Sequence, residues 1–168
     1  MTHNKQGFTL FEVMVVICLF GLIAMLGMMQ LSFLDDVMVH AEIDRLAATC
    51  MYLRQKAIAT NADQSLVCDI QNNEYRLDKV REKLSKRIAF GFLPNAIGSP
   101  GSPSRTITKA VTFPASTIHF YSTGIISSGA VYVTDNNKKI MYALTNAVSQ
   151  FSYLRLYRYR DQRWKLLT

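Results

Sequence analysis

Between Val13 and Leu34 the chain carries no charged residue, and only Gln30 and Ser32 interrupt the apolar character of these 22 positions. At about 1.5 Å of rise per residue, a helix of that length crosses roughly 30 Å of hydrocarbon. The pattern then changes. Ile43, Leu46, Ala47, Cys50, Leu53, Ala57 and Ile58 recur at three- and four-residue intervals, which predicts that the helix continues as an amphipathic stalk to about Thr60. Asn61 to Gln64 then supplies stop and turn chemistry.

Strand-like patterning follows the helix. Leu66 to Ile70 and Glu74 to Leu77 flank the polar turn Gln71-Asn72-Asn73, which predicts a hairpin. Pro94 to Ser104, with Gly98, Pro100, Gly101 and Pro103, reads as an exposed irregular loop. Beyond it, residues 111–113, 117–121, 130–134, 139–144 and 151–159 are rich in β-branched and aromatic residues. Asp135 to Lys138 is good turn chemistry between two of these runs. No strand–helix–strand alternation occurs, so the expected class is α+β: a long N-terminal hydrophobic helix, transmembrane and then stalk, packed on an antiparallel β-sheet head.

The bulk numbers sharpen this reading. Of 168 residues, about 50 belong to the helix, which leaves roughly 110 for one globular domain. The apolar run is too long for an ordinary secretory signal and no small-residue cleavage site follows it, so the span is expected to be retained. Lys5 and His3 precede the span and Asp35 and Asp36 follow it, which puts the N-terminus in the cytoplasm and the head outside. Cys50 and Cys68 fall in the outer portion, where they form either a bridge or two buried small side chains.

Glu12 stands at the edge of the apolar run, where a carboxylate is costly unless a partner charge neutralises it. A short polar leader from Met1 to Gly7, the Gly7-Phe8 junction, Glu12 four residues later and the Val-, Ile- and Leu-rich helix with Gly21 resemble the class III signal of type IV pilins and pseudopilins. The resemblance implies that a prepilin peptidase cuts between Gly7 and Phe8 and methylates the new Phe8 amine. It also implies that Glu12 meets the N-terminal amine of a neighbouring subunit during filament assembly, offsetting its desolvation. The expected organisation is a leader over 1–7, an assembly helix over 8–34, a stalk over 35–60 and a head over 61–168.

Ile118 to Gly124, followed by Gly129 and the run Ala130 to Thr134, resembles the head signature of the GspH/FimT group of minor pseudopilins and minor pilins. Two departures stand out. Met29 occupies a place where pilins often carry proline, and no cysteine follows Cys68, whereas major pilins commonly end in a cysteine-closed loop. A minor subunit is therefore expected, in a type II secretion pseudopilus or a type IV pilus. Its expected partners are other pilin subunits, the prepilin peptidase and the bacterial inner membrane, with the head periplasmic.

Charge is distributed unevenly. Residues 1–104 hold 10 basic and 10 acidic side chains, and residues 105–168 hold 9 and 2, so the net charge of +7 belongs to the last third. The densest stretch interleaves Arg155, Arg158, Arg160, Arg163 and Lys165 with Tyr153, Tyr157, Tyr159 and Trp164. Such a pattern suits phosphates by charge and bases by stacking. Tyr157-Arg158-Tyr159-Arg160 resembles the glycine-arginine-x-arginine motif of DNA-binding minor pilins, with tyrosine in place of glycine, so the carry-over reaches Arg158 and Arg160. The competing reading is a terminal strand pair whose tyrosines pack on the sheet while its arginines keep an edge soluble. Lys79 to Arg87, another basic run, reads as a solvated loop or edge strand, with binding of an anionic partner as the alternative. His3, His40 and His119 have no nucleophile or metal-ligand arrangement near them in sequence, so neither an enzyme, a metal nor a cofactor is expected.

Overall fold

The computed structural model describes residues 9–78, 80–94, 96, 98–101, 105–146 and 153–167, with the side chains of 26–33 outside that description. The chain divides into two units, Met1–Leu34 and Asp35–Thr168. Helix α1 covers Leu10–Thr60, so its first part belongs to one unit and its second part to the other. In the first unit the apolar side chains stand open: Leu10, Phe11, Ile17, Phe20 and Ile23 are all exposed. Among the described residues no helix is long and apolar enough to cross a membrane. The expected span over 8–34 draws also on residue 8 and on the side chains of 26–33, which lie outside them.

The second unit is built around the rest of α1. Val39, Ile43, Leu46, Cys50, Leu53 and Ala57 are buried, a stripe spaced by four, three, four, three and four residues. The periodicity predicted five of these; Val39 extends the stripe, Ala47 packs at its margin and Ile58 is exposed instead. Among the described residues the strands are β1 (Gln64–Asp69), β2 (Glu74–Leu77), β3 (Val80–Lys83), β4 (Ile88–Phe90), β5 (Thr117–Phe120), β6 (Gly129–Asp135), β7 (Met141–Asn146), β8 (Leu154–Arg160) and β9 (Arg163–Leu166). All described pairings are antiparallel.

Two sheets form where the sequence suggested one. The first has the order β3-β2-β1-β5 and the second β4-β6-β7-β8-β9. The division occurs after β3, where the Ile88 amide turns back to the Ser85 carbonyl at 2.9 Å and sends β4 to pair with β6 through Ile88↔Asp135 and Phe90↔Val133. Both sheets bury side chains against the α1 stripe: Leu66, Tyr75, Ile118 and Phe120 from the first, Val131, Val133, Tyr142, Leu144 and Leu156 from the second. The outer face of the second sheet has its own smaller core, in which Tyr132, Met141 and Ala143 pack with Ala96 and Ile107.

Turn chemistry accounts for the hairpins. Asp69 accepts the Gln71 and Asn72 amides between β1 and β2, and Asp135 Oδ1 accepts the Lys139 and Ile140 amides at 2.7 Å between β6 and β7. Those last two residues were expected in the strand, and this capping holds them in the turn. Val111 to Phe113, also expected as a strand, contributes only a bridge from Val111 to Val131. Gly124 has φ +82°, a left-handed conformation that glycine adopts without strain. Gly129 is required by a close approach: a Cβ built there would stand 2.6 Å from the Phe113 ring. Gly129→Ala is expected to destabilise the fold by about 1–3 kcal/mol through overpacking, measured by urea unfolding of the detergent-solubilised chain.

Candidate functional site

The N-terminal end of α1 is closed by a reciprocal cap. The Thr9 amide and hydroxyl donate to Glu12 Oε2 at 2.9 and 3.0 Å, and the Glu12 amide donates back to Thr9 Oγ1 at 3.3 Å. Thr9 and Glu12 are thus the N-cap and third helical residue of a capping box, which satisfies amide groups that a helix start leaves without partners. The Thr-x-x-Glu spacing carries this signal, and Thr9 is the functional residue that the sequence reading passed over. Glu12 Oε1 has no hydrogen-bond partner among the described residues, so the fully exposed carboxylate keeps one oxygen for an external cation. Gly7 and Phe8 lie outside the described residues.

The C-terminal basic stretch forms β8 and β9, joined by the two-residue turn Asp161-Gln162 with φ of 52° and 58°. Positive φ at both central residues matches the turn to the twist of a tight hairpin. In this register Arg158 is opposite Lys165 and Arg160 is opposite Arg163. Strand alternation therefore puts Arg158, Arg160, Arg163 and Lys165 on one face, where together they line a shallow depression. Tyr157, Tyr159 and Trp164 fall on the other face, where they pack against the outer core. Trp164 is held there by a 2.9 Å hydrogen bond from Nε1 to the Gly98 carbonyl and by ring contacts to Tyr132 and Tyr159.

Residues interleaved in sequence are thus separated in space. Around Arg160, Arg163 and Lys165 the cations are parted from Tyr157, Tyr159 and Trp164, whereas Arg155 keeps aromatic neighbours. Arg155 is also set apart from the other four cations. It donates to the Tyr153 hydroxyl at 2.8 Å, lies over the Tyr153 ring, and opens with Arg105, Thr145 and Tyr157 onto a cleft of about 730 Å³.

Arg158 has a partner within the fold. Its Nη2 lies 2.7 Å from Asp36 Oδ2, and the Tyr142 hydroxyl donates to Asp36 Oδ1 at 2.9 Å. His40 stacks on Tyr142 with ring centroids 5.3 Å apart, and Arg87 lies 3.7 Å from Asp35. The first turn of α1 beyond Leu34 is therefore tied to β7, β8 and the turn before β4. Burial, reinforced by the hydrogen bond to Asp36, pushes the Tyr142 hydroxyl above its ordinary range. Among the described residues Arg163 and Lys165 have no ion-pair partner, and Arg160 has only the exposed Asp161 at 3.7 Å.

The other basic run becomes an edge. Among the described residues β3 pairs only with β2, and its Glu82 turns back to an ion pair with Arg45 and accepts the Tyr75 hydroxyl at 3.2 Å; Lys79 lies outside them. Cys50 and Cys68 are buried free thiols. Burial pushes Cys68 up to about 12, and burial with the neighbouring Cys68 raises Cys50 further.

Residues 2–28 match the family model of the prokaryotic N-terminal methylation motif. That match supports a type IV pilin-like protein processed at a class III signal and held by a pilin-type N-terminal membrane anchor. Comparison with curated proteins and with solved structures found no match.

The geometry makes Arg158 a structural residue and Arg163 a surface one. Arg158→Ala is expected to cost about 1–3 kcal/mol by stripping Asp36 of a charged partner, and Arg163→Ala to change stability by less than about 0.5 kcal/mol, both read by thermal unfolding. The thiols give a pH test. Their folded values lie above the unfolded value of 9.0, so their contribution is complete below pH 9 and is lost as pH rises from 9 through about 12. At pH 8 Cys50 and Cys68 should resist alkylation in the folded protein and react on unfolding, as intact mass after iodoacetamide treatment would show.

Proposed function

We propose that the protein is a minor pseudopilin or minor pilin subunit, a non-catalytic assembly component. It is cut between Gly7 and Phe8, methylated at Phe8, and inserted with its N-terminus cytoplasmic and its head periplasmic. Its first helix then packs into the filament of a type II secretion system or a type IV pilus. The observation that carries this reading is the methylation-motif match over residues 2–28, which encloses Gly7, Phe8 and Glu12. Two further features support it. The apolar side chains of the first unit stand open, as expected of a surface that lipid and neighbouring helices would cover. Glu12 also has one oxygen without a partner among the described residues, which suits pairing with a neighbour's amine.

A DNA-binding minor pilin is the second reading, and exposed Arg160, Arg163 and Lys165 favour it. Against it stand the engagement of Arg158 with Asp36 and the packing of Tyr159 and Trp164 on the opposite face. Beside Arg160, Arg163 and Lys165 this turns the aromatic rings away, so that on this reading these three would act through phosphate contacts.

The test is Glu12→Val in cells that assemble the filament. Processing is expected to continue while incorporation falls at least about tenfold, because an amine left inside the bundle without its counter-charge is strongly unfavourable. Unchanged incorporation, measured by cross-linking and immunoblotting of sheared filaments, would remove the pairing role.

A further inference from the structure

The cationic turns of the second sheet all lie at one end. β6 finishes at Asp135 where β7 begins, Met141 pairs with Tyr159 near the end of β8, and Ile88 at the start of β4 pairs with Asp135. The segments 84–87, 135–140 and 161–162 therefore share one rim. Exposed Lys86, Arg87, Lys138 and Lys139 decorate the first two turns, and Arg160, Arg163 and Lys165 flank the third. With Arg158, this rim carries eight cationic side chains against four acidic ones, Asp35, Asp36, Asp135 and Asp161. Each of those acids already has a partner: Asp35 with Arg87, Asp36 with Arg158 and Tyr142, buried Asp135 with turn amides, and exposed Asp161 with Arg160.

The point at which α1 meets this rim sets its location. Asp35 and Asp36 follow Leu34, the last residue of the apolar run, so connectivity alone keeps them within about 3 Å of helical rise from the end of the hydrophobic segment. If that segment spans the bilayer, connectivity brings Asp35 and Asp36, and with them the paired Arg87 and Arg158, to the depth of the lipid headgroups.

We propose that this rim docks on an anionic phospholipid surface and seats the head against the membrane before assembly. The inference rests on the membrane-anchor reading given above. Cations near an anionic surface each strengthen association by roughly fivefold, and several act together here. Duplex DNA presents the same phosphate chemistry, but lipid headgroups are the phosphates that the chain's own anchor brings to this rim.

The experiment uses the full chain in nanodiscs of phosphatidylcholine with and without phosphatidylglycerol, read by hydrogen exchange. Amides of residues 160–166 are expected to exchange at least about fivefold more slowly in the anionic discs. That protection should vanish at high salt and in Arg163→Glu/Lys165→Glu, while β6 and β7 keep their exchange rates as a check that the fold is intact. Equal exchange of 160–166 in both discs overturns the proposal and leaves the anchor reading standing. Protection that appears only on adding duplex DNA overturns it in favour of nucleic acid. A chain that does not co-purify with discs removes the anchor reading and this inference together.

Discussion

The whole second unit depends on one buried stripe of a single helix. Val39, Ile43, Leu46, Cys50, Leu53 and Ala57 supply the apolar surface on which both sheets close. No described backbone ladder joins the four-stranded to the five-stranded sheet, so packing on α1 is what makes them one core. An amphipathic helix of this kind gains most of its stability from such a face and little from propensity. The residues that continue from the membrane-type segment are therefore the same ones that organise the head. Asp35 and Asp36 follow from this arrangement, since they fasten the start of the stalk to Arg87, Tyr142 and Arg158.

Local patterns were legible where one period dominated. The three- and four-residue spacing from Ile43 to Ala57 located the stripe, and polar turns at 71–73 and 135–138 located two hairpins. Gly124 and Gly129 both belong to the head signature. The first has the positive φ that a turn exploits, whereas the second is needed to admit the Phe113 ring, a contact sixteen residues away that no local pattern encodes. β4 and β9, three and four residues long, are too short for alternation to register. The split into two sheets depends on which partner β4 finds, a question of tertiary packing rather than propensity.

The candidate residues teach a similar lesson. Alternating tyrosine and arginine from 157 to 160 looks like a mixed surface, but in a strand alternation means opposite faces, and the register with β9 carries the separation across the hairpin. The Asp36 contact could not be anticipated, because its tyrosine partner lies 106 positions away. Thr9 was within reach, since its spacing to Glu12 is a capping signature, yet the charge of Glu12 drew the reading outward to a neighbouring subunit. Both roles are compatible, as the cap uses one carboxylate oxygen.

The chain joins an N-terminal methylation motif to a head whose cationic side chains gather at one end of its second sheet. The central claim is that Gly7-Phe8 is a processing junction. Intact-mass analysis of the protein extracted from membranes of cells with an active prepilin peptidase tests it most directly. The account predicts a chain that begins at Phe8 and is heavier by one methyl group than residues 8–168. A mature protein that still begins at Met1 would contradict it.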